Sequence, residues 1–243
     1  MNKCLVVAAG IVLAAGGVAS AADLPAKAPI YKAAPVTNWT GFYVGAHGGG
    51  DWFYKDWFAP TTALNGVQNR AVGSHTASNW LAGGQFGFNY QTGIWVWGID
   101  AQISATRLEG SNENIVAPVV VNHSKTDALA TVAARFGVAL DKTLFYAKGG
   151  GAWAHDTFWT ALPSFGVPVG QSATVSRWGW MIGAGAEYAF APNWSVFAEY
   201  DYLDFGRQRV TLAPVASPFG FEYDIKQTIQ IVKVGLNYKF GGL

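Results

Sequence analysis

The stretch Trp95-Val-Trp-Gly-Ile-Asp-Ala-Gln-Ile-Ser104 alternates large apolar residues with small or polar ones. Successive side chains of a β-strand point to opposite faces of the sheet. The stretch therefore predicts a strand with one apolar face and one polar face, the polar face being formed by Gly98, Asp100, Gln102 and Ser104.

The same alternation recurs in eight segments, at about 39–50, 79–90, 94–106, 126–140, 143–155, 174–190, 193–205 and 223–240. Tight turns at 91–93, 141–142 and 191–193 alternate with longer links at about 51–78, 107–125, 156–173 and 206–222. Short turns that alternate with long loops are typical of outer-membrane barrels. Residues 39–243 are therefore predicted to form an all-β fold, an eight-stranded antiparallel transmembrane up-and-down β-barrel.

The composition decides which face of these strands points outward. Charged residues make up only 13% of the chain, whereas soluble domains average about 25%. The polar face is rich in Gly, Ala and Ser, which suits a crowded interior better than a surface in water. We therefore expect the apolar face to meet lipid, through residues that include Phe86, Ile99, Val132, Ile182 and Val234.

The opposite positions carry a set of charged residues, which are Asp100, Arg135, Lys148, Glu187, Glu199, Asp201 and Lys233. An eight-stranded barrel is just wide enough to be filled by its own side chains, and buried charges need partners. We expect a lumen charge network that plugs the barrel and supports the envelope structurally. The alternative is a narrow pore for ions or small solutes.

Aromatic residues concentrate at the short-turn ends of the strands, which predicts an interface aromatic belt on that side of the membrane. Its predicted members are Trp39, Tyr90, Trp95, Trp194, Tyr238 and Phe240.

Residues 1–22 have the pattern of a secretory signal peptide: Lys3, then an apolar run, then Ala and Ser residues at a cleavage site. Residues 23–38, rich in Pro and Ala, predict a flexible periplasmic lead-in. The signal peptide and the periplasmic lead-in together predict Sec-dependent export to the cell outer membrane. Because Cys4 would leave with the signal, we expect no thiol in the mature chain, and we predict no metal site, cofactor or nucleic-acid partner.

Several segments resemble small alphaproteobacterial outer-membrane proteins, the outer membrane immunogenic or porin-family proteins. The resemblance lies in Trp39-Thr-Gly-Phe-Tyr-Val-Gly45, Gly84-Gln-Phe-Gly-Phe-Asn-Tyr-Gln91, Glu199-Tyr-Asp-Tyr-Leu-Asp-Phe-Gly206 and Val234-Gly-Leu-Asn-Tyr-Lys-Phe240. It implies an OmpA-like eight-stranded barrel that acts as a surface antigen of the Gram-negative envelope. Its implied partners are outer-membrane lipids, including lipopolysaccharide, and the barrel-assembly machinery. Gly241-Gly242-Leu243 departs from the terminal aromatic residue that this machinery favours.

Two other functions stay open at this stage. Some relatives in the resembled family are associated with haem, and Trp52, Trp57, His75 and His123 could form a haem or host-ligand site in the extracellular loops. A lipid-modifying enzyme at the barrel rim is disfavoured. Ser124 and His123 are adjacent on one strand and would point to opposite faces, as would His155 and Asp156.

Overall fold

The computed structural model describes residues 37–61, 68–113, 121–162, 167–168, 172–212 and 221–240. The predicted signal peptide, nearly all of the lead-in and the Gly241–Leu243 extension lie outside the described residues. Within the described ranges, no helix is long and apolar enough to cross a membrane.

The described chain is built from antiparallel strands. They are β1 (Gly41–Thr61), β2 (Gln68–Thr92), β3 (Trp95–Glu113), β4 (Val121–Leu140), β5 (Thr143–Leu162), β6 (Val167–Pro168), β7 (Ala173–Ala189), β8 (Trp194–Leu212) and β9 (Phe221–Phe240). β6 is two residues that pair with the end of β5. The other eight strands pair with their neighbours in order, and pairing of β1 with β9 closes the ring. The predicted eight-stranded antiparallel barrel is confirmed.

The strands extend further from the short turns than the sequence prediction allowed. β1 continues to Thr61 and β2 begins at Gln68, so most of the link predicted at 51–78 is strand. β1 has 21 residues, whereas about 9–11 suffice to cross a bilayer. The prediction followed the apolar face, and that face ends where outward positions become polar, for example at Thr76 and Ser78 on β2.

The outer surface of the barrel carries an exposed apolar band. Phe86, Ile99 and Val132 are each about two-thirds exposed, at 64%, 64% and 66%. Trp80 and Trp178 mark the edge of the band away from the short turns, with 72% and 77% exposure. Water would not tolerate so much contiguous apolar surface, so the predicted outward orientation of these residues is confirmed.

Three apolar layers cross the interior at different heights. The basal layer, next to the short turns, consists of Trp39, Val96, Ala139, Leu144 and Tyr146. The middle layer includes Phe53, Leu81, Leu108, Leu129, Ala152, Met181, Leu203 and Ile229, so that all eight barrel strands contribute to it. The top layer includes Trp57, Phe158, Val210, Tyr223 and Ile225.

The basal layer corrects one prediction about the aromatic belt. Trp39 is only 4% exposed and packs inside the barrel, so its assignment to the lipid-facing belt is wrong. Trp39 shares the parity of the inward Tyr43 in the predicted segment 39–50, so the alternation favoured an inward side chain and the belt assignment, which rested on position near the short turns, overlooked it. Tyr90, Trp95, Trp194 and Phe240 do lie exposed near the short turns. Tyr238 packs edge-on against Trp194 and Phe240, with ring centroids 5.1 Å apart in both pairs.

Two of the three short turns use backbone conformations that few residues adopt easily. Gly93 has a φ of 59° and Asp141 a φ of 53°. Tight hairpin turns need positive φ, which Gly adopts without strain and Asp tolerates. These turns fix the strand register at the end of the barrel nearest the basal layer.

Candidate functional site

The seven charged residues predicted to line the lumen lie together between the basal and middle layers. Lys148 Nζ is 2.7 Å from Glu199 Oε1 and 3.4 Å from Asp201 Oδ1. Lys233 Nζ is 3.0 Å from Glu199 Oε1 and 2.6 Å from Asp201 Oδ2. We call the set Asp100, Arg135, Lys148, Glu187, Glu199, Asp201 and Lys233 the lower charge network.

Arg135 and Glu187 form a second ion pair of this network. Arg135 Nη2 lies 2.5 Å from Glu187 Oε2, and the guanidinium carbon sits 3.4 Å from the ring centroid of Tyr146. The Tyr146 hydroxyl donates to Glu199 Oε2 over 2.9 Å. Tyr146 therefore links the Arg135 pair to the two lysines.

Neutral side chains complete the lower charge network, although the network predicted from the sequence included only charged residues. Ser195 Oγ and Asn237 Nδ2 donate to Glu187 Oε1 over 2.5 and 2.9 Å. Gln102 Nε2 donates to Asp100 Oδ2 over 2.7 Å. Each of these residues occupies an inward position of the alternating pattern, which could have identified it. Only the charged residues at inward positions were assigned to the network.

Interior glycines make room for these long side chains. A Cβ atom on Gly183 would lie 2.0 Å from Asp201 Oδ1, and one on Gly185 would lie 2.6 Å from the Tyr146 hydroxyl. Both distances are far below van der Waals contact, so no larger residue fits unless the network moves. The glycine-rich inward face is thus a packing requirement of the network.

A separate set of buried charges lies between the middle and top layers. We call Lys55, Asp156 and Arg177 the upper charge cluster, and all three side chains have 0% exposure. Lys55 Nζ is 3.2 Å from Asp156 Oδ1, and Arg177 Nε is 3.5 Å from Asp156 Oδ2. Thr126 Oγ1 also donates to Asp156. The sequence did not predict this cluster, because Lys55 and Asp156 fall in segments predicted as links and only Arg177 falls within a predicted strand.

The position of Lys55 places it beyond the lipid-facing band. It pairs across the sheet with His75, five residues from Trp80 at the edge of the band. Burial lowers the pKa of Lys55 to about 8, although the neighbouring Asp156 carboxylate opposes that shift. At neutral pH the ammonium form therefore prevails.

His75 lies in the same part of the barrel and bonds through both ring nitrogens. Its Nδ1 is 3.0 Å from Asn112 Oδ1 and its Nε2 is 2.9 Å from Ser124 Oγ. Burial lowers the pKa of His75 to about 4. The chain of hydrogen bonds from Asn112 through His75 to Ser124 resembles a serine nucleophile next to its histidine base. However, Ser124 has 0% exposure, so its hydroxyl is closed to substrate.

The predicted loop ligand site is wrong in its placement. Its residues lie on strands, and the structure divides them between two faces. Trp57 and His75 are buried inside the barrel, with 0% and 7% exposure. His123 lies on the outer face and stacks on Trp159, with ring planes 3° apart. Trp52 also points outward, so the four residues do not meet.

Comparison with known proteins agrees with this architecture. Residues 10–240 match the family described as outer membrane protein beta-barrel domain. The 31 kDa outer-membrane immunogenic protein of Brucella melitensis is 30% identical over 237 residues, covering 94% of this chain and 93% of the relative.

Two crystal structures share the fold at low sequence identity. OprG from Pseudomonas aeruginosa is 13% identical with a TM-score of 0.51, covering 85% of this chain and 100% of its own. The outer membrane protease OmpT from Escherichia coli is 10% identical with a TM-score of 0.52, covering 82% of this chain and 97% of its own.

The family match over residues 10–240 and the Brucella relative confirm the resemblance to outer-membrane immunogenic proteins. The chain belongs to the outer membrane protein beta-barrel domain family, and its location is the outer membrane.

Proposed function

We propose that this protein is a structural surface protein that supports the integrity of the outer membrane and conducts ions at most through a narrow path. The observation that carries the proposal is the middle layer. Leu108, Leu203 and Ile229 in this layer have 0% exposure, and every barrel strand contributes to it. An apolar constriction of this kind excludes water and therefore ions.

The lower charge network supports the same role. Its carboxylates and cations bond to one another across the interior instead of lining an aqueous channel. A water-filled solute channel needs a barrel of about 16 strands. Salt bridges that cross the interior tie distant strands together, which favours a rigid wall.

The arrangement of the other candidate residues favours this role over the two alternatives. Trp57 and His75 lie inside, whereas Trp52 and His123 lie outside, which argues against a shared haem or host-ligand site. The buried hydroxyl of Ser124 argues against a lipid-modifying site at the rim. As partners we propose outer-membrane lipids, including lipopolysaccharide, around the exposed band, and the barrel-assembly machinery during insertion.

Planar-bilayer recording of refolded protein tests the proposal. Wild type should give no steady openings of porin size. The double variant Leu129→Ser, Leu203→Ser should raise conductance, because it places hydroxyls in the middle layer. The matched control Val132→Ala changes the lipid-facing side of β4, where Val132 is 66% exposed. Its conductance should equal that of the wild type. Steady large openings in wild type would refute the closed barrel.

A further inference from the structure

A polar depression of about 180 Å³ lies on the outer wall of the barrel, where β3, β4 and β5 extend furthest from the short turns. It is lined by Glu109, Gly110, Ser111, His123, Ser124 and Trp159. Glu109, Ser111 and His123 occupy outward positions of their strands, so the depression faces the surroundings of the barrel. A water molecule takes up about 30 Å³ of the liquid, so there is room for a larger ligand.

The depression lies well beyond the apolar band. Trp159 follows Trp153 by six residues on β5, and Trp153 pairs with Trp178 at the edge of the band. The strand rise and tilt of a barrel place Trp159 roughly 15 Å above that edge. The headgroup region of a bilayer adds only about 5–8 Å on each side. Lipopolysaccharide, the partner proposed above, presents its sugars at this height.

An aromatic pair borders the depression. His123 and Trp159 are cross-strand partners on β4 and β5, and their rings stack with planes 3° apart and centroids 5.1 Å apart. This stacking fixes the orientation of both rings. A sugar ring has an apolar face of C–H groups, and contact of that face with Trp159 would remove apolar area from water on both sides.

Polar groups beside the rings match the hydroxyls of a sugar, which both donate and accept hydrogen bonds. Glu109 accepts, and the Ser111 hydroxyl donates and accepts. Burial lowers the pKa of His123 below its ordinary 6.5, so its imidazole is neutral at pH 7 and offers one donor and one acceptor. The depression thus combines one aromatic contact with several convergent polar groups, as small-ligand sites do.

The charges around the depression favour a neutral ligand. Lys125 Nζ is 4.0 Å from Glu109 Oε1 and 2.7 Å from Asp127 Oδ1, so carboxylates outnumber the cation by one. This excess repels phosphates and acidic sugars. The Glu109 side chain is 54% exposed, and salt screens the attraction of such an exposed carboxylate for a cation.

We propose that this depression binds a neutral sugar unit of lipopolysaccharide, with the sugar ring on Trp159 and its hydroxyls bonded to Glu109, Ser111 and His123. The inference rests on the proposed function, which names lipopolysaccharide as a partner, and adds the place of contact. A conducting barrel would still bind the sugar, and a closed barrel without this site would still be silent. Bilayer recording and sugar binding therefore fail separately.

Calorimetric titration of the refolded protein in detergent micelles tests the site. The probe is the lipid-free core oligosaccharide, released by mild acid from lipopolysaccharide of the native outer membrane. We expect saturable binding by wild type, and Trp159→Ala should weaken it about tenfold or more through the lost apolar contact. The matched control Trp52→Ala removes an outward tryptophan of β1 that does not line the depression, and it should bind as wild type does.

Glu109→Gln distinguishes a sugar from a cationic ligand. The amide oxygen still accepts a hydrogen bond, so this variant should retain most of the affinity for the oligosaccharide. Spermine, added as a cationic competitor, should not displace the oligosaccharide from wild type. Displacement by spermine that Glu109→Gln abolishes would identify a cation site and overturn the proposal.

Two further results would contradict the sugar site: no binding of the oligosaccharide by wild type, or equal affinity in Trp159→Ala and wild type. The gel shift between folded and boiled barrel shows whether each variant has folded. Should Trp159→Ala fail to fold, His123→Ala removes the other ring of the aromatic pair and serves in its place.

Discussion

The lower charge network and the upper charge cluster bury charge in different surroundings. The lower network lies at the height of the apolar band, so hydrocarbon surrounds the wall outside it. There Glu187 has a cation, a hydroxyl and an amide as partners. The upper cluster lies at the edge of the band, since Arg177 adjoins Trp178, and Arg177 has donors without partners among the described residues.

This difference indicates how each site can reach electroneutrality. The lower network has more carboxylates than cations, and a carboxylate can take up a proton where ions have no access. The upper cluster has more cations than carboxylates, and its arginine cannot release a proton. Electroneutrality of the upper cluster can come from Lys55, because burial lowers the pKa of this lysine to about 8.

The largest effect should come from breaking a pair in the lower network. Arg135→Leu leaves Glu187 buried opposite an apolar side chain, and removal of one partner of a buried pair costs about 3–5 kcal/mol. Urea unfolding followed by the gel shift between folded and boiled barrel measures the loss.

The matched control for this prediction is Arg209→Leu. Arg209 is 56% exposed on its side chain and forms ion pairs on the outer face. Exposed ion pairs are screened by water and contribute little to stability. Equal losses of unfolding free energy in both variants would show that the lower network contributes no more to stability than the surface ion pairs do.

A smaller effect is expected from filling the space that the lower network occupies. Gly183→Ala places a Cβ against Asp201 Oδ1 and should cost about 1–3 kcal/mol, the usual range for overpacking. Gly151→Ala is the control, because a Cβ there meets no atom within 4 Å. A Gly183→Ala variant as stable as Gly151→Ala would mean that Asp201 can move at little cost.

The smallest effect concerns pH in the upper half of the barrel. The pKa of His75 is lowered to about 4 in the folded protein, from the ordinary 6.5. Between these values the unfolded chain binds more protons than the folded one, so stability falls as pH falls from 6.5 toward 4.

His75→Gln removes this titration while keeping a polar side chain. With these two pKa values we expect wild type to lose roughly 1.5 kcal/mol more than the variant between pH 6.5 and 5. Urea midpoints at a series of pH values measure the difference. Identical pH profiles would show that His75 does not remain neutral in the folded barrel.

Much of the lower network was predictable from the sequence, and little of the upper cluster was. Asp100, Arg135 and Lys148 occupy inward positions of strands whose outward residues are plainly apolar. Above the band, Lys55 sits between Tyr54 and Asp56, and polar outward neighbours remove the contrast on which strand prediction depends. The loop-site prediction failed for the same reason, since Trp57 and His75 lie on the extensions of β1 and β2 that the pattern did not reveal.

The sequence by itself determined the strand number, the short turns, the direction of the apolar face and the location in the outer membrane. Period-two alternation and low charge are local properties, and they follow directly from which side of each strand meets lipid. Only the tertiary structure decided which inward residues touch. Arg135 and Glu187, or Lys55 and Asp156, come from strands far apart in the chain, and their contact depends on closure of the ring and on the register between strands.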